Sequence, residues 1–72
     1  MSDFKSRLQN ELEDLAEKIY KLKNFLKNVN KDTFDKNQLS LLEIQVSTME
    51  SYARILDARL TLLKDFNPDA QR

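Results

Sequence analysis

The chain has 72 residues, its twelve basic and twelve acidic side chains cancel to a formal net charge of zero, and it contains neither cysteine nor histidine. A chain this short buries a small core, and without disulfides or histidine-bound metal its usual route to stability is association with other chains. The composition also excludes the common zinc sites and histidine-assisted nucleophiles, and a neutral chain is poorly suited to duplex DNA.

The first predicted element is a helix over residues 3–29. Its apolar residues alternate at spacings of four and three, which places them on one stripe of a helix. This stripe consists of Leu8, Leu12, Leu15, Ile19, Leu22, Leu26 and Val29. Asn28 or Asn30 is expected to end the helix in the left-handed conformation that asparagine tolerates. A turn over residues 30–35 follows.

The second predicted element is a helix over residues 36–66. Asp35 is expected to cap its start, because Gln38 follows three residues later as in a capping box. Another stripe with the spacing of a coiled coil runs along this helix. It consists of Leu39, Leu42, Val46, Met49, Ala53, Leu56, Leu60 and Leu63. Pro68 stops the helix, since the residue before a proline disfavours helical geometry, and residues 67–72 are expected to fray.

These two helices predict an all-α protein with a single domain over residues 1–72. The short turn favours antiparallel neighbours, so the helices should form a hairpin. The second helix carries a further set of apolar residues on its other side. This set consists of Leu41, Ile44, Tyr52, Ile55, Leu62 and Phe66. One partner helix cannot cover both sides, so we expect copies of the chain to assemble into a helical bundle, with Leu41, Ile44, Ile55, Leu62 and Phe66 in the interface.

A different protein could cover the same apolar residues. In that case the chain would be a helical adaptor or inhibitor rather than a self-assembling protein. Native mass separates the two readings, because a stable homo-oligomer uses these residues internally. A third interpretation is an RNA-binding hairpin of the Rop type, because residues 18–36 have a net positive charge. The net charge of zero over the whole chain disfavours it.

The sequence offers no pattern typical of an enzyme. Glu13 and Glu17 lie one helical turn apart, but their place near the start of a helix favours a solvated role that complements the helix dipole. The absence of glycine excludes glycine-rich phosphate loops. We therefore predict a non-enzymatic protein with no cofactor and no metal.

A ligand site is predicted on the second helix, where small hydroxyl residues interrupt the apolar side. Ser47 lies near Tyr52 and Arg54, and Arg59 follows. Hydroxyl and guanidinium groups can bind phosphate, and a tyrosine ring can stack on a base. Lys36 makes the turn end of the hairpin attractive to an anion. The alternative is that the small residues only permit close helix packing and that Tyr52 belongs to an interface.

The stretch SLLEIQVSTMESYA at residues 40–53, followed by Arg59, resembles a family of small phage hairpins. These are the nucleotide sponges of the anti-CBASS and anti-Thoeris type. The resemblance implies a homo-oligomer that sequesters an immune signal, either a cyclic di- or trinucleotide or a cyclic ADP-ribose, in pockets where protomers meet. Ser40, Tyr52, Ala53 and Arg59 match positions of the family pattern. Asn37-Gln38 and Ile44-Gln45 depart from it at positions that would contact phosphate.

The expected function is therefore sequestration of a signalling nucleotide to block host antiviral immunity. The expected ligand-binding residues are Ser40, Ser47, Tyr52, Arg54, Arg59 and Lys36. No stretch has the length and hydropathy of a membrane span, and the start lacks the apolar core of a signal peptide, so we expect a cytoplasmic protein, in the host cell if a phage encodes it.

Overall fold

The chain forms an antiparallel hairpin of two α-helices. The structure is a computed structural model that describes the backbone of residues 2–65 and the side chains of residues 4–63. Helix α1 spans Ser2–Asn28 and helix α2 spans Lys36–Asp65. The molecule is about 61 Å long and 16 by 14 Å across. Among the described residues, no helix is both long enough and apolar enough to cross a membrane.

The core is thin and follows the two predicted stripes. Leu8 of α1 packs with Leu56 and Leu60 of α2, and three half-buried leucines, Leu12, Leu15 and Leu63, surround this cluster. Leu39 and Val46 extend the buried line toward the turn. No polar side chain is buried in the described part of the chain. The fold is therefore held by one apolar seam between the helices.

The end of α1 differs from the expected left-handed cap. None of the described residues has a positive φ, so the prediction for Asn28 and Asn30 was wrong. The Asn28 side chain instead donates a hydrogen bond to the Asn24 carbonyl, one turn earlier in the helix, at 2.9 Å. Val29 still donates its N–H to Phe25, so α1 ends within one residue of the predicted position.

The turn is closed by Asn30 and by two aromatic rings. The Asn30 carbonyl accepts the Phe34 N–H at 3.0 Å, and its side-chain oxygen accepts the Asp32 N–H at 3.0 Å. These bonds replace the left-handed cap by an asparagine turn. The rings of Phe25 and Phe34 meet edge to face with centroids 5.7 Å apart, which holds the turn against α1.

Helix α2 begins where the capping pattern places it. The Asp35 carboxylate accepts the Asn37 N–H at 2.8 Å, and the Asp35 carbonyl accepts the Leu39 N–H at 3.0 Å. The cap at Asp35 is therefore present. The reciprocal bond from the Gln38 side chain, which would complete a capping box, does not form within the described residues. The predicted helix end at residue 66 and the tail 67–72 lie outside the described residues.

The second apolar set on α2 is exposed to solvent. We call its described members the outer stripe: Leu41, Ile44, Tyr52, Ile55 and Leu62. Leu62 is 70% exposed and Ile55 is 56% exposed, so α1 covers neither. Phe66, which the sequence adds to this set, lies outside the described residues. The hairpin thus leaves a row of large apolar side chains without a partner in the described chain.

Candidate functional site

An open cleft lies between the start of α1 and the end of α2. This end cleft has a volume of about 280 Å³ and is lined by Phe4, Arg7, Leu8, Glu11 and Arg59. The guanidinium carbon of Arg59 lies 5.9 Å from the centroid of the Phe4 ring, within the range of a cation–π contact. Two guanidinium groups against one carboxylate give the cleft a net positive charge. Guanidinium groups are the side chains that bind phosphate in a fork.

Tyr52 links α2 to Glu11, one of the α1 residues that line the end cleft. Its hydroxyl donates a hydrogen bond to the Glu11 carboxylate. Among the described residues that line the cleft, Glu11 supplies the one carboxylate, and this bond occupies part of it. The Tyr52 side chain remains 41% exposed, so the ring is partly open to a ligand or to another chain. Tyr52 and Arg59 are seven residues apart and therefore lie on the same side of α2.

A second cleft lies on the same side of the hairpin, nearer to the turn. This middle cleft has a volume of about 390 Å³ and is lined by Lys18, Lys21, Leu22, Phe25, Gln45 and Met49. It repeats the combination of two cations with an aromatic ring that is found in the end cleft. The Gln45 amide donates to the Met49 sulfur at 3.9 Å, which leaves the cleft floor with few free polar groups. Both clefts could accept a ligand that combines negative charge with a flat ring.

The remaining predicted ligand residues lie on another side of α2. Ser40, Ser47 and Arg54 recur every seven residues and are all exposed, with Lys36 one turn before Ser40. At about 100° per residue, this serine side is turned by roughly 140° from Tyr52 and Arg59. Arg54 contacts Ser51 at 3.2 Å and does not reach the clefts. One chain therefore brings Tyr52 and Arg59 together but separates them from the other four residues.

The basic residues of the middle of the chain divide between two sides of α1. Lys18 and Lys21 line the middle cleft, whereas Lys23 and Lys27 lie with Tyr20 around a shallow hollow of about 250 Å³. Lys23 pairs with Glu50 of α2 at 2.6 Å. These lysines do not form one continuous positively charged stripe. Binding to an RNA duplex would need such a stripe.

The acidic residues of α1 that the sequence placed one turn apart lie on the surface of the hairpin. Glu13 and Glu17 are exposed, and Glu17 lies 3.7 Å from Lys21 on the surface of α1. No group of three or more acidic side chains in the described chain is placed to hold a metal ion.

Sequence reasoning identified Arg59 and Tyr52 but missed their neighbours in α1. Phe4, Arg7 and Glu11 follow each other at spacings of three and four, so they lie on one side of α1. Lys18, Lys21 and Phe25 continue this line, which therefore passes through both clefts. The spacing of these residues is visible in the sequence. However, they are a mixture of charged and aromatic residues, so they do not form an apolar stripe that would have indicated a site.

The chain was matched against models of protein families. The model described as Sequestin matches residues 2–62, which include all of α1 and nearly all of α2. No curated protein and no solved structure matches the chain.

Proposed function

The chain belongs to the Sequestin family, and we propose that it sequesters a phosphorylated signalling nucleotide without chemically changing it. The family name is consistent with a sequestering role, and the earlier resemblance to phage nucleotide sponges suggests the ligand class. The proposed ligand is a cyclic di- or trinucleotide or a cyclic ADP-ribose, and the proposed consequence is suppression of host antiviral immunity. The proposed location is the host cytoplasm.

The observation that carries the proposal is the end cleft. Arg7 and Arg59 supply two guanidinium groups for phosphate, and the Phe4 ring supplies apolar surface for a base. The ring of Tyr52, whose hydroxyl is bonded to Glu11 of the cleft, is proposed to add a second stacking surface. Charge-assisted bonds from guanidinium to phosphate are among the stronger polar contacts in proteins, and base stacking on an aromatic ring adds to them. The cleft is shallow, so the proposal includes burial of the ligand between protomers of a homo-oligomer.

The serine side provides the second group of proposed contacts. Ser40, Ser47, Lys36 and Arg54 of one protomer would meet a ligand held by Tyr52 and Arg59 of another, since one chain cannot direct all six at the same point. Leu41, Ile44, Ile55, Leu62 and Phe66 are proposed to form the interface between protomers. This arrangement makes binding depend on assembly.

Calorimetry with a panel of cyclic dinucleotides, cyclic trinucleotides and cyclic ADP-ribose isomers tests the proposal. At least one ligand should bind at micromolar concentration. Arg59→Ala should weaken that binding by about tenfold or more, because a hydrogen bond to a charged group contributes roughly 1.5–3 kcal/mol. The loss should shrink at high salt, since phosphate contacts on the surface are screened.

Arg54→Ala is the paired comparison, because both arginines are exposed on α2 but only Arg59 lines the end cleft. It should also weaken binding, through the proposed contact from the serine side, but by less than Arg59→Ala. If Arg54→Ala abolishes binding and Arg59→Ala does not, the phosphate lies on the serine side instead. If no ligand of the panel binds, the nucleotide proposal falls. The exposed outer stripe would then favour docking of a protein partner. The mass of every variant is measured first, so that loss of assembly is not mistaken for loss of a ligand contact.

A further inference from the structure

The end cleft contains a carboxylate that phosphate binding alone does not explain. Glu11 lines the cleft together with Arg7 and Arg59. No ion pair of the described chain includes Glu11, so neither guanidinium neutralises it by direct contact. A carboxylate repels a nearby phosphate, and it does so more strongly where solvent is excluded. A cleft that held phosphate alone would therefore bind it better without Glu11.

The Tyr52 hydroxyl holds this carboxylate from the neighbouring helix. It donates a hydrogen bond to the Oε2 atom of Glu11, which restricts the orientation of the carboxylate. An ionised carboxylate has about four acceptor positions on its two oxygens, and this bond uses one of them. Glu11 is exposed, so a ligand in the cleft can reach the others. A ligand with hydrogen-bond donors close to its phosphate would fill these positions and offset the repulsion.

The order of the side chains along α1 matches the order of the groups in a cyclic nucleotide. Phe4, Arg7 and Glu11 lie on one side of α1 and line the same cleft. At about 1.5 Å of rise per residue, Arg7 lies roughly 4.5 Å from Phe4 along the axis, and Glu11 lies roughly 6 Å from Arg7. A base stacked on Phe4 would have its phosphate at Arg7. The group beyond that phosphate is a second ribose, because the phosphates of these ligands join one ribose to another.

Ribose hydroxyls are suitable donors for a carboxylate that is already held on one side. Acidic side chains bond the ribose 2′-hydroxyl in other nucleotide-binding folds. A hydrogen bond to an ionised acceptor is also stronger than one between neutral groups. The 2′-hydroxyl is the group by which a protein distinguishes a ribonucleotide from a deoxyribonucleotide. A contact with Glu11 would therefore make binding depend on the sugar as well as on the phosphate.

We infer that Glu11 accepts hydrogen bonds from ribose hydroxyls of the sequestered ligand and makes the end cleft selective for ribose over 2′-deoxyribose. The Tyr52 hydroxyl positions the carboxylate for this contact. Arg7 and Arg59 hold the phosphate, so Glu11 contributes discrimination between sugars rather than attraction for the anion. The inference rests on the proposed function and names a residue that determines the specificity of the same site.

Paired ligands test the inference by calorimetry. Cyclic di-AMP, cyclic GMP–AMP and a cyclic ADP-ribose are each titrated beside the counterpart in which hydrogen replaces the free 2′-hydroxyls. A ligand that binds the parent should bind about tenfold or more tightly than its 2′-deoxy counterpart, because the counterpart lacks a hydrogen bond to a charged group. Glu11→Gln should reduce this ratio to about threefold or less. The same variant should bind the 2′-deoxy ligand at least as tightly as the parent does, because the repulsion of the phosphate is gone.

Glu13→Gln is the matched control, because it removes the same charge from an exposed residue of α1 that does not line the end cleft. It should leave the ratio between the ribose and 2′-deoxyribose ligands unchanged. Tyr52→Phe keeps the ring but removes the bond to Glu11, and it should lower the ratio by a smaller factor than Glu11→Gln does. Native mass and circular dichroism verify that each variant keeps the assembly and helical content of the parent.

Four results overturn the inference while leaving sequestration of a nucleotide intact. If the parent binds both members of each pair equally, the cleft does not read the sugar. If Glu11→Gln and Tyr52→Phe weaken both members by the same factor, Glu11 only holds the two helices together. If Glu13→Gln lowers the ratio as much as Glu11→Gln, the effect belongs to net charge. If Glu11→Gln changes only the preference between adenine and guanine ligands, the carboxylate contacts the base.

Absence of binding to every ligand is a different result. In that case the nucleotide proposal fails, and the inference about Glu11 fails with it.

Discussion

The two helices of the hairpin use their apolar residues in different ways. Helix α1 directs its leucine stripe at α2, and its other large apolar residues are few: Phe4 and Phe25 border the two clefts, and Tyr20 is exposed. Helix α2 is apolar on two sides, because the stripe that contacts α1 is accompanied by the exposed outer stripe. A helix with one apolar side is satisfied by one neighbour, whereas a helix with two requires another. We therefore expect α2 to be the helix that contacts other chains.

The largest difference within α2 is expected between Leu56 and Leu62. Leu56 is fully buried and should lose about 2–5 kcal/mol of unfolding free energy when changed to alanine, through lost burial and the cavity that remains. Leu62→Ala is the comparison, because Leu62 is 70% exposed in the hairpin and any loss there should come from the proposed interface rather than from the core. Urea unfolding followed by circular dichroism measures both variants. A loss at Leu62 as large as that at Leu56 would mean that the assembly buries Leu62 as deeply as the core.

The second prediction separates folding from association. Ile55→Glu should leave the hairpin helical, because the side chain is already in water, but should weaken assembly by about 1.5–3 kcal/mol through lost apolar burial. Sedimentation should show smaller species than the parent at the same concentration. Asp57→Lys, also an exposed charge change on α2, should leave the mass unchanged. An Ile55→Glu variant with the mass of the parent would exclude the outer stripe as the interface.

The third prediction concerns the start of α2. Asp35→Ala removes the side-chain bond to the Asn37 N–H and should lower the unfolding free energy by about 1 kcal/mol. Asp32→Ala changes another turn aspartate with the same loss of charge and should have a smaller effect. Thermal unfolding of the two variants side by side measures the difference. If the two variants unfolded at the same temperature, the Asp35 cap would not stabilise the hairpin more than any other aspartate of the turn.

The smallest effect is expected at the ion pair that joins the two helices. Lys23 and Glu50 lie 2.6 Å apart but remain partly exposed, so solvent screens their attraction. Lys23→Ala should therefore cost about 0.5 kcal/mol or less, and the loss should disappear in high salt. Lys27→Ala is the control on the same side of α1. A large loss that salt does not reduce would indicate that Lys23 acts through packing of its aliphatic stem.

The local features of the fold could be read from the sequence. The leucine spacing predicted the seam between the helices, and Leu8, Leu39, Val46, Leu56 and Leu60 are its buried members. Asp35 predicted the start of α2 because a cap depends only on a side chain and the N–H groups two or three residues later. The end of α1 was predicted to within one residue, but the expected left-handed asparagine is absent from the described residues, and the Asn28 side chain bonds to the Asn24 carbonyl instead.

The candidate site was predictable only in part. Arg59 and Tyr52 were identified by residue type and by family resemblance, and their shared side of α2 follows from the helical repeat. The same helical repeat places Arg54 on a different side of α2 from Tyr52 and Arg59. Residue types alone had suggested that all three residues belong to one ligand site. The contributions of Arg7 and Phe4 required the register between α1 and α2, which no local pattern specifies.

The sequence by itself determined two amphipathic helices, the start of the second helix with its cap at Asp35, and an excess of apolar surface on the second helix. Each of these depends on residues within one or two helical turns of each other, where backbone geometry fixes which side chains are neighbours. Only the tertiary structure decided that Tyr52 meets Glu11, that Arg59 lies over Phe4, and that two cation-lined clefts share one side of the hairpin. Those contacts depend on how far one helix is rotated and shifted against the other, and this is set by the packing of the whole leucine seam rather than by any single residue.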